Sequence, residues 1–278
     1  MNIAMLGMGI IGSAWAANLI SDGHAVRCWN RTTQDIHCFC PAIRDAVGGA
    51  EAVFIVVADP PAVEAVLEQI VPVLAPGTLV IQASTISAAW TRVFAKRIQA
   101  AGALFLEAPF TGSKPAAEQR QTVFYLGGSP EVVAMARPYL EPLSSAIFHI
   151  GPLGSASSLK LAMNLNIAGV AQSLCESLTL CRAAGIADDV YFEALGRNVS
   201  HSGVADLKEP KLRCHDYAPQ FSLKHMAKDL RLALETAVDH GVLLEHTASL
   251  KRLYEQGVAA GWGEDDFIGL VRLLEKRQ

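Results

Sequence analysis

Charge is sparse in this 278-residue chain, and no sign of it dominates: 18% of residues are charged, with 23 Lys and Arg against 27 Asp and Glu for a net −4. Without a basic excess there is no electrostatic footprint for a nucleic acid. No apolar run reaches the ~18 residues of a membrane-spanning helix, and the least polar stretch is broken by Asn164, Asn166 and Gln172. Met1 leads straight into apolar residues, with no basic leader or cleavage site, so no signal peptide is predicted and the chain is expected to be cytoplasmic. Six cysteines (Cys28, Cys38, Cys40, Cys175, Cys181 and Cys214) are too few and too scattered for a disulfide framework, and are expected to be reduced. His37-Cys38-Phe39-Cys40 has a superficial metal-binding look, but no second Cys/His pair stands at ligand spacing, so no metal is expected.

Apolar residues are plentiful, at 51%, which excludes disorder and provides for a sizeable core. A short apolar run, Asn2 to Leu6, is followed at once by Gly7-Met8-Gly9-Ile10-Ile11-Gly12, then by a helical pattern to about Gly23 and a second strand, His24 to Trp29. Strand, Gly-x-Gly-x-x-Gly, helix and strand within some 30 residues are the context a dinucleotide-binding fingerprint requires. The first glycine makes a tight turn, the second admits a pyrophosphate against backbone, and the third lets helix pack on strand; the helix N-terminus favours the negative charge. The residues after the second strand choose the dinucleotide. Where an NAD site normally carries Asp or Glu, this chain has Asn30-Arg31-Thr32. With no carboxylate to repel it, a 2′-phosphate can be gripped by Arg31, which points to NADP(H).

Further continuous apolar strands, Val53 to Ala58 and Thr78 to Ala83, predict a parallel sheet buried on both faces. Helices are predicted at 61–74, 88–101 and 131–140, with strands at 104–108, 123–127 and 146–150. Ligands of such sheets bind at the carboxyl ends of the strands. There lie Ser84-Thr85 and Thr111-Gly112-Ser113, a small hydroxyl-bearing loop whose amides suit a carboxylate.

Past Gly154 the pattern turns wholly helical, with helices predicted at 187–195, 204–212, 222–240, 243–259 and 264–276. The longest comes before these. From Ser157 to about Gly185 it covers about 28 residues and about 42 Å, with Ser155, Ser157 and Ser158 as possible N-caps. No charge occurs between Leu161 and Cys175, so it is expected to be buried nearly all round. Its one early cation is Lys160, with Asn164 a turn later. The expected architecture is an α/β Rossmann-type domain, residues 1–156, and an all-α domain, residues 157–278, joined by this helix.

With these motifs in order along the whole chain, the sequence resembles the β-hydroxyacid dehydrogenase family. The resemblance rests on Gly7-x-Gly9-x-x-Gly12, Ser84-Thr85, Glu107-Ala108-Pro109-Phe110-Thr111-Gly112-Ser113, and Gly151-x-x-Gly154 leading to Lys160-x-x-x-Asn164. It extends to the segment from Phe221 to Leu230 and to Gly261-Trp262-Gly263-Glu264-Asp265-Asp266. Gly112 to Glu118 leans toward the glyoxylate/succinic semialdehyde reductase branch. The resemblance implies a catalytic Lys160 with Asn164 beside it, and a substrate carboxylate held at Thr111, Gly112 and Ser113. It also implies Thr85 near the nicotinamide, Lys228 on the cofactor, and Phe221 and Asp229 closing the site. The chain departs from the family pattern in having Thr111-Gly112-Ser113 for Ser-Gly-Gly, Gln82 where an acid is common, Ala156 for a third glycine, and a shorter segment after Arg31. The activity implied is NADP(H)-dependent interconversion of a small aldehyde acid and its hydroxyacid. An imine reductase on the same scaffold and a non-catalytic NADP-binding protein are the alternatives, and Lys160 with Asn164 counts against both. The long uncharged helix also predicts a homodimer or larger even-numbered assembly, a second subunit covering what one chain cannot.

Overall fold

Why the first half forms a two-sided layer follows from its strands. In the computed structural model, which describes residues 1–275, β3 (Ala52–Ile55) and β4 (Leu79–Gln82) are buried at every position. Successive side chains of a strand point to opposite faces. Phe54 and Ile81 accordingly join one core with Ile3, Met5 and Leu106, while Val53, Ile55 and Val80 join a second with Leu6 and Phe105. Both faces therefore need helices, and the chain supplies them alternately.

In order, the elements are β1 (Asn2–Leu6), α1 (Ile10–Ser21), β2 (Ala25–Trp29), α2 (Ile43–Val47), β3, α3 (Pro60–Ile70), β4, α4 (Ala88–Ala100) and β5 (Leu104–Glu107). Then follow β6 (Phe110–Thr111), α5 (Lys114–Glu118), β7 (Thr122–Gly127), α6 (Pro130–Leu140), β8 (Ser144–Gly151) and α7 (Ser155–Ala183). The eight strands form one sheet in the order β2-β1-β3-β4-β5-β7-β6, with β8 beside β7. Pairing is parallel from β2 to β5, antiparallel for β7 against β5 and β6, and parallel again between β7 and β8.

The chain divides into two compact units, residues 1–160 and 161–278, the boundary falling inside α7 between Lys160 and Leu161. The second unit holds the rest of α7, then α8 (Asp188–Gly196), α9 (Gly203–Cys214), α10 (Leu223–Asp239), α11 (Glu245–Gly257) and α12 (Arg272–Glu275). Its core gathers Leu174, Leu178, Leu212, Leu230 and Tyr254. Helix α10 shows how: Leu223, Met226, Leu230, Ala233 and Ala237 recur every three or four residues and are buried.

Several sequence expectations change. The short α2, β6 and α5 were not predicted, being too brief for periodicity to register. The predicted helix 61–74 ends at Ile70 and tightens into a 3-10 turn, Val71–Val73, because Pro72 supplies no N–H to the ladder. The predicted final helix 264–276 is instead a 3-10 turn, Phe267–Val271, followed by α12; residue 276 lies outside the described residues. Asp266 explains this, being wholly buried and capping Ile268 N with its own side chain. Helix α7 has the predicted length but is not covered all round within one chain. Met163, Asn166, Ser173, Glu176, Ser177 and Leu180 are exposed, Leu180 to 71%.

Candidate active site

The glycine-rich turn after β1 is built for close approach. A Cβ on Gly7, whose φ is +106°, would stand 2.1 Å from the Val56 carbonyl oxygen, and one on Gly12 would stand 1.9 Å from the Gly7 oxygen. Either substitution collides with backbone. Gly9 is different, since a Cβ there would meet nothing within 4 Å. It is the N-cap of α1, no side chain caps that end, and the first turn carries no acid. Gly9 and Ile10 are exposed, and Met8 and Gly12 buried. This open, positively polarised helix end suits a pyrophosphate, so the residues present fit a dinucleotide.

Asn30 turns back to this loop. Its Oδ1 accepts from Met8 N at 3.2 Å, and its Nδ2 donates to the Thr32 oxygen at 3.1 Å. Gln34 and Ser13 donate to the Met8 oxygen at 2.9 and 3.1 Å. Arg31 and Thr32 are exposed beside them. The segment after them is tied down on β2, where Cys38 Sγ lies 2.7 Å from Cys28 Sγ and Cys40 N donates to the Cys28 oxygen at 2.8 Å. Burial and the facing thiol push the Cys28 pKa up. Cys38 thus packs against a thiol on the neighbouring strand.

At the end of β4, Gln82 is wholly buried and grips Ser84 twice. Its Oε1 accepts from Ser84 N at 2.5 Å and its Nε2 donates to the Ser84 oxygen at 3.1 Å. An ionised carboxylate could make only the first of these bonds, so the amide has a local reason here. Ser84 Oγ in turn accepts from Val57 N at 2.8 Å, and Thr85 next to it is half-buried. Thr111 is not purely loop: it pairs with Val123 as the last residue of β6. Gly112 follows at φ +122° and Ser113 forms the N-cap of α5, all three half-buried.

Lys160 and Asn164 lie one turn apart on α7, 8% and 3% exposed. Asn164 Nδ2 donates to Asp229 Oδ2 at 2.5 Å, and Lys228 Nζ is 2.9 Å from Asp229 Oδ1. Three residues implied by the resemblance thus meet in one buried cluster within the second unit. Phe221 is half-buried and stacks on His225, with ring centroids 6.1 Å apart. Burial pushes the His225 pKa down, with the Lys228 charge adding to the effect.

Two residues that sequence reasoning left without a role are prominent here. Asp266 accepts from Gln220 N at 2.9 Å and Phe221 N at 3.4 Å while pairing with Lys208, at 2.9 Å, both side chains fully buried. The segment that carries Phe221 is anchored on this pair. Glu107, also fully buried, gathers the first turn of α7. Both stand in motifs that carry the family resemblance, Glu107 at the end of an apolar strand and Asp266 beside an apolar run, but neither was given a role there.

Comparison with known proteins bears on the fold and the family. Residues 2–151 match the family described as the NAD binding domain of 6-phosphogluconate dehydrogenase, and residues 154–274 the one described as NAD-binding of NADP-dependent 3-hydroxyisobutyrate dehydrogenase. Glyoxylate/succinic semialdehyde reductase 2, chloroplastic, of Arabidopsis thaliana is 29% identical over 99% of this chain and 79% of its own. The NAD-dependent L-serine dehydrogenase of Pseudomonas aeruginosa is 27% identical over 99% of this chain and 98% of its own. Among solved structures, Mycobacterium tuberculosis 3-hydroxyisobutyrate dehydrogenase with L-serine has a TM-score of 0.88 at 25% identity, covering 98% of each chain. Among the described residues no helix is long and apolar enough to cross a membrane. With a nicotinamide-dinucleotide fold in its first unit and a helical second unit that both match, the chain belongs to the β-hydroxyacid dehydrogenase family.

Proposed function

We propose that this enzyme uses NADP(H) to interconvert a small aldehyde acid, of the glyoxylate or succinic semialdehyde kind, and its hydroxyacid, with Lys160 as acid and base. The observation that carries the reading is the buried Lys160 one helical turn from an Asn164 that is itself fixed by Asp229. Residues 7–12 would hold the pyrophosphate, and Asn30, Arg31, Thr32, Thr85 and Lys228 the rest of the cofactor. The nicotinamide supplies or accepts the hydride. In reduction, negative charge builds on the carbonyl oxygen; the Lys160 ammonium stabilises it and delivers the proton from Nζ. In oxidation the neutral amine takes that proton back. Asn164 offers a further polar group beside the lysine, Thr111, Gly112 and Ser113 bind the substrate carboxylate, and Phe221 is a further substrate-binding residue. The names of the Arabidopsis and Mycobacterium relatives, a semialdehyde reductase and a hydroxyisobutyrate dehydrogenase, support a small carboxylate as substrate.

NADPH oxidation measured against a panel of short aldehyde acids, glyoxylate and succinic semialdehyde included, tests the activity; no turnover anywhere in the panel rejects it. The same assay tests cofactor choice. A charge-assisted hydrogen bond to a 2′-phosphate contributes about 1.5–3 kcal/mol, roughly 10- to 150-fold in Kd. Arg31→Ala is therefore expected to weaken NADPH by that factor and leave NADH almost unchanged. Equal losses for both cofactors remove Arg31 from the phosphate site.

The assembly we propose is a homodimer or larger even-numbered oligomer formed through α7. The exposed run Met163, Asn166, Ser173, Ser177 and Leu180 supports it, since Glu176 at its edge is the one exposed charge between Met163 and Leu180. Light scattering at micromolar concentration is expected to give about twice the 29.7 kDa chain mass or a higher even multiple. A monomer mass with and without NADPH overturns the assembly.

A further inference from the structure

The start of α7 is not held by its own serines. Glu107, the last residue of β5 and fully buried, reaches across to it. One carboxylate oxygen accepts from Gly154 N at 2.6 Å and Ala156 N at 3.0 Å. The other accepts from Ser157 N at 3.3 Å and Ser157 Oγ at 2.6 Å. Having given its proton to Glu107, the Ser157 hydroxyl accepts from Thr91 Oγ1 at 2.8 Å, which brings α4 into the same network. Both lone-pair regions of each carboxylate oxygen are thereby used, and three of the donors are backbone groups that the first turn of a helix leaves without intrahelical partners.

The neighbouring strand is shaped for this carboxylate. Gly127 stands opposite Glu107 in the antiparallel pairing of β7 with β5. A Cβ there would lie 1.9 Å from Glu107 Oε1 and 2.6 Å from Cδ. Gly154, where the chain enters the helix, has φ +100°, and a Cβ on it would press on Ala88 and Arg92 of α4. Gly127 thus leaves room for the buried carboxylate, and Gly154 lets the entry to α7 lie close against α4.

Lys160 sits three residues beyond Ser157 on this helix. Residues three apart are neighbours on one helix face, and long helical side chains lean back over the preceding turn. The stem of Lys160 therefore rests on the turn that Glu107 fixes. We propose that Glu107 is a positioning residue for the reaction: by locking the first turn of α7 to the end of β5, its carboxylate sets where the Lys160 amine stands relative to the reacting carbonyl. The inference rests on the assignment of Lys160 as acid and base, and makes no use of a contact between Glu107 and substrate. A misplacement of about 1 Å in such a group costs on the order of 10²-fold in rate.

Glu107→Gln tests it, because the amide keeps the volume but turns one acceptor into a donor facing N–H groups. In a folded variant, kcat for aldehyde reduction is expected to fall 10- to 100-fold while KM and the Kd for NADPH stay within about twofold, since the glycine-rich turn is untouched. Ser157→Ala, which removes one donor and keeps the carboxylate, should lose several-fold in kcat and carries the test if Glu107→Gln does not fold. The deciding measurement is a double-mutant cycle with Lys160→Ala. A residue that acts through the lysine produces no further loss once the lysine is gone. Wild-type kcat in folded Glu107→Gln (or in Ser157→Ala, where that variant carries the test), or losses that multiply in the double variant, overturn the proposal. Should Lys160→Ala itself keep normal turnover, the assignment of the lysine falls instead, a result distinct from either of these.

Discussion

Lys160→Ala should lower kcat on the best aldehyde acid by about 10³-fold or more, while NADPH binds as in the parent enzyme. Proton delivery from a positioned acid contributes roughly 10²- to 10⁴-fold, and stabilisation of the developing oxyanion adds to it. A 10³-fold loss corresponds to about 4 kcal/mol of transition-state stabilisation. Cofactor affinity is spared because the dinucleotide turn is built by residues 7–12 with Asn30, none of which is substituted. Lys160→Arg separates the two contributions: a guanidinium keeps the charge and does not give up its proton at any working pH. It is expected to recover part of the rate and none of the base-assisted oxidation. Single-turnover rates with fluorescence titration of NADPH measure both quantities. A folded Lys160→Ala variant with near-normal kcat would falsify the role.

The second large effect is on stability. Asp266→Ala should destabilise the protein by about 3–5 kcal/mol, because it strands a buried Lys208 ammonium without its counter-charge. Lys208 is 0% exposed, and its Nζ is 2.9 and 3.0 Å from the two Asp266 oxygens and 3.0 Å from Gln220 Oε1. Burial pushes the lysine pKa down and the Asp266 charge opposes that, so deleting the acid leaves the burial penalty alone. The same deletion takes the acceptor from Gln220 N, Phe221 N and Ile268 N. Replacing both charged partners, as in Lys208→Met with Asp266→Leu, should recover only part of the loss, since those backbone donors stay unsatisfied. Urea unfolding followed by tryptophan fluorescence reads the shift in midpoint. A midpoint within error of the parent for Asp266→Ala would show that the pair contributes nothing net.

Much of the candidate site could be proposed from the sequence because its signals are local. The fingerprint at residues 7–12, the absence of an acid at Asn30-Arg31-Thr32 and the lone cation at the head of an uncharged helix are each contained in one short stretch. The glycine spacing is legible too, although only Gly12 is forced locally, by the Gly7 carbonyl; Gly7 is forced by Val56 just past β3, and Gly9 faces open space. The N-terminus of α7 was misread on that very basis. Ser155, Ser157 and Ser158 offered caps, and the helix is held instead by a carboxylate some 50 residues earlier. Ser158 spends its hydroxyl on the Gly154 carbonyl, at 2.9 Å, within its own turn. The last helix failed similarly, since its periodicity was sound but a partner at Lys208 pulled Asp266 inside.

The sequence by itself determined the alternation of buried strands and helices, the dinucleotide turn, the change to an all-helical second half and the family, because each depends on periodicity or on residues within one turn or strand. Tertiary structure alone decided which charges are buried. Whether Glu107, Lys208, Asp229 and Asp266 face water or a partner depends on what distant elements bring to them, through pairs separated by 50, 58 and 65 positions. A buried charge is tolerable only where its hydrogen-bond partners converge on it, and that convergence is a property of packing that no local pattern encodes.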